Sequence, residues 1–216
     1  MKVVPCDKRT CDEFVLKKHY SHRASIFWAG FALIEDGHIQ GVVVFGQPSP
    51  PIQLHAFKDR DFRIYELARL VVQTRTRNAA SFLVGRSLQM LPSPCAVVSY
   101  ADGAMGHVGY IYQATNWLYT GATLSKDVLY MVDGKPMHAL SLTSTRGITA
   151  PRAWARENGI EIIKPHPKHR YFMVTGNRRQ KADMLSRLKY PVLPYPKGDS
   201  NRYDAGADLV VPYLVR

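Results

Sequence analysis

The chain has 216 residues, of which 46% are hydrophobic, enough for one domain with a substantial core. Its 29 Lys and Arg against 17 Asp and Glu give a formal charge of +12, so nucleic acid is the first partner to consider, although charge alone fits nonspecific binding equally well. Three cysteines give no disulfide framework, and neither an apolar signal core nor a membrane-spanning run is visible. We therefore expect a cytoplasmic protein.

The first elements predicted along the chain are a helix and an antiparallel hairpin. Phe14, Val15 and Leu16 among charged residues favour a short amphipathic helix over residues 11–19. Apolar runs at 26–33 and 39–45 flank an Asp-Gly turn and predict a β-hairpin. After a proline-rich break at 47–51, residues 62–72 predict another strand.

Two strand-loop-helix units follow. The first has a loop at 73–77 and a helix that begins after Asn78, a good N-cap, and stops before Pro92. The second has a strand at 95–100, a turn at 101–103 and a helix at 106–115. Such units imply a parallel centre to the sheet. Further strands are predicted at 117–123, 128–132 and 137–143, with a hairpin turn at Asp133-Gly134.

The last third of the chain is the expected phosphate-contacting part, because residues 146–216 contain 14 basic and 6 acidic residues. A helix is predicted at 152–157, a strand at 170–175 and a basic helix at 178–188. Four prolines after residue 190 favour an extended arm. We therefore predict one α/β domain over residues 1–190 and a proline-rich C-terminal arm over residues 191–216.

This order of elements resembles the GNAT acetyltransferase-like fold, which implies a mixed central sheet flanked by helices, here with a basic C-terminal extension. Five segments, taken together, resemble the phage Mom family: His19-Tyr20-Ser21, Glu66-Leu67-Ala68-Arg69-Leu70, Arg77-Asn78-Ala79-Ala80-Ser81, Tyr100-Ala101-Asp102 and Gly109-Tyr110-Ile111-Tyr112-Gln113-Ala114-Thr115-Asn116.

The resemblance to the Mom family covers roughly residues 15 to 190. It implies a transferase that adds a carbamoylmethyl-type group to the N6 amine of adenine in DNA. This modification protects phage DNA from restriction in the cytoplasm of the infected bacterium. Two alternatives stay open: a conventional N-acetyltransferase acting on a small amine or a protein, and a noncatalytic DNA-binding module.

The first catalytic candidate is Asp102, which follows a predicted strand and precedes a helix, where α/β proteins gather ligand sites. It would serve as general base or ligand; the alternative is a turn aspartate that caps the next helix. Tyr112 would donate a proton or hydrogen bond into the same cleft, and His19 and Tyr20 end the helix that lines it. These four residues also form a nitrogen and oxygen set compatible with iron, although their spacing is no recognised metal motif.

Three further candidates lie on the strand predicted at 62–72. Tyr65 and Glu66 alternate across it, so only one of them faces the cleft unless a bulge intervenes. Glu66 and Arg69 fit a structural ion pair as well as a functional one.

Two other sets of residues are assigned to contacts with the donor and with DNA. The loop and helix start that would hold an anionic donor or the DNA backbone contain Arg75, Arg77, Asn78, Ala79, Ala80 and Ser81. This loop lacks the glycines of the usual acyl-CoA loop, so the sequence does not identify the donor, and an acyl-CoA remains one alternative. The basic residues assigned to DNA are Arg23, Arg170, Arg178, Arg179, Lys181 and Arg187, with an ordinary solvated helix face as the alternative.

Overall fold

A seven-stranded mixed sheet and a separate three-stranded sheet organise the molecule. The structure is a computed structural model that describes residues 1–123 and 128–198. The strands are β1 Lys2–Pro5, β2 Ala29–Glu35, β3 His38–Gly46, β4 Arg63–Val72, β5 Cys95–Asp102, β6 Leu118–Thr123, β7 Leu129–Val132, β8 Lys135–His138, β9 Ile162–Ile163 and β10 Lys168–Thr175. The helices are α1 Lys8–Lys18, α2 Pro50–His55, α3 Ala79–Met90, α4 Tyr110–Ala114, α5 Ala139–Arg146, α6 Pro151–Glu157 and α7 Arg178–Ser186, with a 3₁₀ turn at Gly103–Met105.

The large sheet has the order β1-β2-β3-β4-β5-β10-β6, and all its neighbours are antiparallel except β4 and β5. The predicted mixed sheet flanked by helices is therefore confirmed, with its parallel centre confined to one pair of strands. The predicted hairpin is also confirmed: Asp36 and Gly37 join β2 to β3 with φ of 50° and 77°. The sequence reading missed β1, a short edge strand, and α2, which begins with two prolines.

The two faces of the large sheet carry different helices. On the side that we call the α3 side, α3 and α4 contribute Leu83, Val84 and Tyr112 to a core cluster with residues of β3, β4 and β5. On the opposite side, which we call the α1 side, α1 covers β2 and β3, while α2 and α7 cover β5 and β10. The helices on the α1 side thus cover two separate parts of the sheet.

A cleft opens between the carboxyl ends of β4 and β5. Their parallel pairing begins at Arg63 and Cys95 and ends at Leu67 and Ser99, although the strands continue to Val72 and Asp102. Just beyond the last pair, β4 has a bulge at Ala68, because its neighbours Leu67 and Arg69 pair with adjacent residues of β3. The bulge bends β4 where it parts from β5, and we call this gap the cleft.

The three-stranded sheet, of order β8-β7-β9, lies in the chain between β6 and β10 together with α5 and α6. We call residues 128–163 the insertion. It has its own buried cluster of Tyr130, Val132, Leu142 and Ala155. The predicted turn at Asp133 and Gly134 is confirmed, with φ of 51° and 71°.

The strand predicted at 137–143 is wrong, because β8 ends at His138 and Ala139–Arg146 form α5. A strand would place Leu140 and Leu142 on the same face. In the helix the two residues point in different directions, so that Leu142 is buried while Leu140 is 83% exposed.

The described part of the proline-rich arm, residues 191–198, is extended along the outer strand β6 and beyond it. The amide of Leu193 donates to the carbonyl of Tyr119 at 2.9 Å, and the hydroxyl of Tyr195 donates to the carbonyl of Trp117 at 2.8 Å. Residues 199–216 of the predicted arm lie outside the described residues. Within the part of the chain that is described, no helix is long and apolar enough to cross a membrane.

Candidate active site

Asp102 is the last residue of β5, at the carboxyl end that borders the cleft. The hydroxyl of Tyr20 lies 3.5 Å from its Oδ2, and Lys168 Nζ lies 3.9 Å from the same oxygen. Lys168 is also the β10 partner of Asp102 in the sheet. Tyr20 and Asp102 therefore lie close together, as predicted, and the ammonium group of Lys168 lies beside Asp102. The predicted turn at 101–103 begins later than expected, since Ala101 and Asp102 still belong to the strand.

Glu66 lies on β4 with its side chain on the α1 side, because it alternates with Tyr65 and Leu67, which are buried on the α3 side. Among the described residues, no hydrogen bond or ion pair engages its carboxylate. Burial raises the pKa of Glu66, while the nearby charges of Arg69 and Lys168 oppose that shift. A half-buried carboxylate with a raised pKa and unoccupied lone pairs is suited to accept a proton.

Arg69 joins the bulge to the loop that follows α1. Its Nε donates to the carbonyl of Arg23 at 3.0 Å, and its Nη1 donates to the carbonyl of Ala68 at 2.7 Å. The guanidinium therefore satisfies the carbonyl that the bulge takes out of the ladder. It also adds positive charge near Glu66 and Tyr20.

His19 is buried at the end of α1 and stacks on Tyr20 with ring centroids 4.2 Å apart. Burial lowers the pKa of His19 to about 4, and Arg69 and two neighbouring histidines add to this shift. The amide of Ser21 donates to Nδ1 at 3.1 Å, so the proton of the neutral ring is assigned to Nε2. Near neutral pH His19 is therefore a neutral ring that can donate through Nε2–H, and its low pKa makes it a weak base.

Tyr20 is kept protonated by its surroundings. Burial raises its pKa to about 12, and the charge of Asp102 acts in the same direction. The phenol therefore donates its hydrogen to the carboxylate of Asp102.

Tyr112 reaches the cleft region from the α3 side. Its hydroxyl oxygen lies 2.7 Å from Ser99 Oγ, which lies 2.8 Å from the carbonyl of Leu67. Ser99 has one hydroxyl hydrogen and the carbonyl can only accept, so Ser99 donates to Leu67 and Tyr112 donates to Ser99. Burial raises the pKa of Tyr112 to about 12. This chain of hydrogen bonds lies at the last β4–β5 pair, where the cleft begins.

The structure brings together some predicted residues and separates others. Glu66, Arg69, Tyr20 and Asp102 share the electrostatic neighbourhood of the cleft. Tyr65 lies apart on the α3 side, where it is 3% exposed and packs edge-on against Trp28.

The four residues considered for iron do not present a common set of free ligand atoms. Nδ1 of His19 accepts from Ser21, which assigns the proton of the ring to Nε2 and leaves neither nitrogen with a free lone pair. The hydroxyl of Tyr112 is engaged by Ser99, and the hydroxyl of Tyr20 contacts Asp102. No group of three or more His, Cys, Asp or Glu residues in the described ranges is placed to hold a metal ion. The arrangement therefore does not fit the proposed ion.

The predicted donor loop lies at the start of α3. Glu35 of β2 accepts hydrogen bonds of 2.7 Å from the hydroxyls of both Thr74 and Thr76, which lower its pKa. Arg75 and Arg77 are exposed on the loop that these bonds hold. At the helix start, Asn78 has a φ of 62° and makes no side-chain cap, so its predicted capping bond is absent. Ala79 is buried, Ala80 is half-buried, and the hydroxyl of Ser81 bonds back to the carbonyl of Asn78 at 3.0 Å.

Two of the arginines assigned to DNA are engaged within the protein. Arg170 lies 3.5 Å from the ring centre of Tyr190 and donates to the side chain and the carbonyl of Thr120. Arg187 forms ion pairs with Asp61 at 2.9 Å and Asp183 at 2.5 Å.

The remaining arginines and the lysine assigned to DNA are exposed: Arg23, Arg178, Arg179 and Lys181. Arg178, Arg179 and Lys181 lie in the first turn of α7, which follows the far end of β10. Lys168 and Thr175 are seven residues apart on β10, and the first pairs with Asp102 while the second pairs with Cys95. The start of α7 is therefore about 23 Å from the cleft along the strand.

Sequence reasoning missed Lys168 and Ser99, and it noted Tyr100, which lies near Glu66, only as part of a family motif. Lys168 meets Asp102 through a pairing of strands distant in sequence, which no local pattern reports. Tyr100 alternates with Asp102 on the same face, so a period of two along β5 would have identified it.

The sequence has recognisable relatives. Residues 1–197 match the model of the Mom protein family. The methylcarbamoylase mom of Escherichia phage Mu is 25% identical over 189 residues, which cover 83% of this chain and 77% of that protein.

Similar solved structures include a GNAT-family acetyltransferase from Bacillus cereus, 11% identical with a TM-score of 0.44, covering 82% of this chain and 98% of that one. A variant of the spermidine N-acetyltransferase of Vibrio cholerae is 8% identical with a TM-score of 0.46, covering 81% and 95% of the two chains. Likenesses at this level identify neither the donor nor the substrate of this chain.

Proposed function

The chain belongs to the Mom protein family, and from this premise we propose that it is a transferase that modifies adenine in DNA within the infected bacterial cell. The acceptor is the N6 amine and the added group is of the carbamoylmethyl type. The relative in phage Mu is named a methylcarbamoylase. The observation that carries the proposal is the unengaged, half-buried Glu66 carboxylate near Arg69 and Lys168, the two cations that also lie near Tyr20 and Asp102.

The chemistry requires a base because the lone pair of the N6 amine is delocalised into the adenine ring. In our proposal, N6 attacks the donor carbon, the bond from that carbon to its leaving group breaks, and the leaving group takes the electron pair. Glu66 accepts the proton that N6 loses. Tyr20 and Asp102 orient the base edge through hydrogen bonds, and the charges of Arg69 and Lys168 stabilise negative charge that develops on the donor.

Tyr112 and His19 have supporting roles in this proposal. Tyr112 fixes the last β4–β5 pair through Ser99, and His19 supplies Nε2–H as a hydrogen-bond donor to the acceptor base. Tyr65 supports the strand from the opposite face.

The donor lies at the start of α3 in this proposal. Arg75 and Arg77 are exposed cations on a loop that Glu35 holds in place, and they suit an anionic group of the donor. An acyl-CoA is one such donor, and the mass of the group transferred will identify the class.

The experiment incubates purified protein with an adenine-containing duplex and an extract of bacterial cells, and then measures modified deoxyadenosine by mass spectrometry. The proposal expects a modified nucleoside with the parent protein and none with Asp102→Ala, while both proteins bind the duplex equally. Carbamoylmethyl and methylcarbamoyl groups are isomers of equal mass, so fragmentation of the nucleoside distinguishes them.

The same experiment separates the alternatives. A conventional N-acetyltransferase would acetylate a small amine or a protein from acetyl-CoA and leave the duplex unmodified. A noncatalytic module would bind the duplex without modifying it, even in the presence of the extract.

A further inference from the structure

The insertion leaves and rejoins the large sheet at the cleft. Thr123, the last residue of β6, pairs with Lys168, and Lys168 pairs with Asp102. A side chain added at Gly103 would stand 2.4 Å from the carbonyl oxygen of Pro167. The segment that returns from the insertion therefore lies against the residue that follows Asp102.

Helix α6 of the insertion presents two exposed arginines. Arg152 and Arg156 are four residues apart and share one face of α6. Trp154, on the opposite face, packs against the cluster of the insertion, and Ala155, on a flank of the helix, is fully buried in that cluster. Lys164 is exposed on the return segment. Within the described ranges, none of these three cations forms an ion pair with the protein.

Distance argues against α7, and the point of attachment argues for the insertion, as the surface that holds DNA at the cleft. A base must leave the duplex to enter an enzyme site, so the phosphates beside it stay close to the cleft. The start of α7 lies about 23 Å away, equivalent to roughly seven nucleotide steps along one strand. The insertion, in contrast, leaves the large sheet at β6 and returns to it at the residue that follows Asp102.

We infer that the insertion and the segment that returns from it are the duplex-binding element of the protein, and that Arg152, Arg156 and Lys164 contact the phosphates that flank the target adenine. The inference rests on the proposed function in that DNA is the ligand. Lys and Arg bind phosphates through charge and hydrogen bonds, and neutralising phosphates releases counterions, so the contribution of each contact depends on salt.

The test measures binding of the full chain to a fluorescently labelled duplex between about 50 and 200 mM salt. The variants are Arg152→Ala/Arg156→Ala and Lys164→Ala. The matched control, Arg178→Ala/Arg179→Ala, removes the same charge at the far end of the sheet. Circular dichroism and thermal unfolding establish that each variant is folded.

We expect the α6 double variant to weaken binding roughly fivefold to tenfold per lost contact, and to reduce the slope of log affinity against log salt by about 2. Lys164→Ala should reduce the slope by about 1, while the α7 control stays within about twofold of the parent. The inference is overturned if the α6 variant binds like the parent, or if the α7 control loses more affinity.

Binding is measured without donor, so this result is independent of the reaction. If the parent modifies no DNA but the α6 variant shows the expected loss, the proposed function fails and the inference stands. If the parent modifies DNA and the α6 variant binds normally, only the inference fails.

Discussion

Replacing Glu66 by Gln keeps the size of the side chain and removes the group that accepts the N6 proton in the proposed reaction. A positioned general base contributes roughly 10² to 10⁴ in rate, so Glu66→Gln should slow modification by that factor while binding of the duplex is unchanged. The assay follows the appearance of modified deoxyadenosine in a duplex incubated with protein and cell extract. Glu13→Gln is the control, because Glu13 lies on α1 and pairs with Arg9 at 3.3 Å.

The pH dependence follows from the direction of the pKa shift. Glu66 must be ionised to act, and its pKa is raised by burial. The rate of the parent should therefore rise with pH through a range above that of an ordinary glutamate and then level off. The residual rate of Glu66→Gln should lack this rise.

Glu66→Gln should slow the reaction, but it should stabilise the folded protein near neutral pH. A carboxyl whose pKa is higher in the folded than in the unfolded state favours folding most at acid pH, and this contribution is lost as pH rises through the folded pKa. Near neutral pH the folded protein therefore holds an ionised, poorly solvated carboxylate. Glu66→Gln should be more stable than the parent there, and the difference should disappear below the ordinary range of glutamate.

The reasoning about Glu66 is refuted by either of two results. One is a modification rate for Glu66→Gln within about threefold of the parent, since this is far less than a general base contributes. The other is a parent whose rate does not change with pH over the acid and neutral range.

Three further predictions concern the surroundings of the cleft. Ser99→Ala strips partners from both the carbonyl of Leu67 and the hydroxyl of Tyr112, so it should lower the free energy of unfolding by about 2–3 kcal/mol, whereas Tyr112→Phe should cost about 1 kcal/mol in urea unfolding; a smaller loss for Ser99→Ala than for Tyr112→Phe would contradict the central place of Ser99 in this network. A chain truncated after residue 190 should unfold at a lower temperature than one truncated after residue 198, because only the shorter chain lacks the hydrogen bonds of the arm to β6 and its flank; equal unfolding temperatures of the two would show that residues 191–198 do not stabilise the fold. Treatment with a metal chelator should leave the modification rate unchanged, and a loss restored by added iron would show that the candidate ligands rearrange to bind it.

Local patterns predicted most of the large sheet. The Asp36-Gly37 turn lies between apolar runs, and α3 follows β4 as a strand-loop-helix unit should, so neighbours in sequence determined these elements. The strand predicted at 137–143 failed because Leu140 and Leu142 suggest a period of two, and only the packing of the insertion decides that one is buried.

The candidate site was predictable only in part. The motif residues Glu66 and Asp102 could be selected from their strands, but the cleft depends on the bulge at Ala68 and on where β4 and β5 cease to pair. These features depend on neighbouring strands as well as on the residues of β4. The role of Lys168 arises in the same way, since β10 joins β5 from far along the chain.

The measurement that tests the central claim most directly is nucleoside analysis of plasmid DNA from bacteria that express the protein. Mass spectrometry with fragmentation, supported by NMR of the isolated nucleoside, locates the added group and distinguishes the two isomers. The account predicts a deoxyadenosine modified on N6 with the parent protein, greatly reduced with Glu66→Gln and absent with Asp102→Ala. Plasmid DNA that remains unmodified although the parent protein is folded and abundant would contradict it.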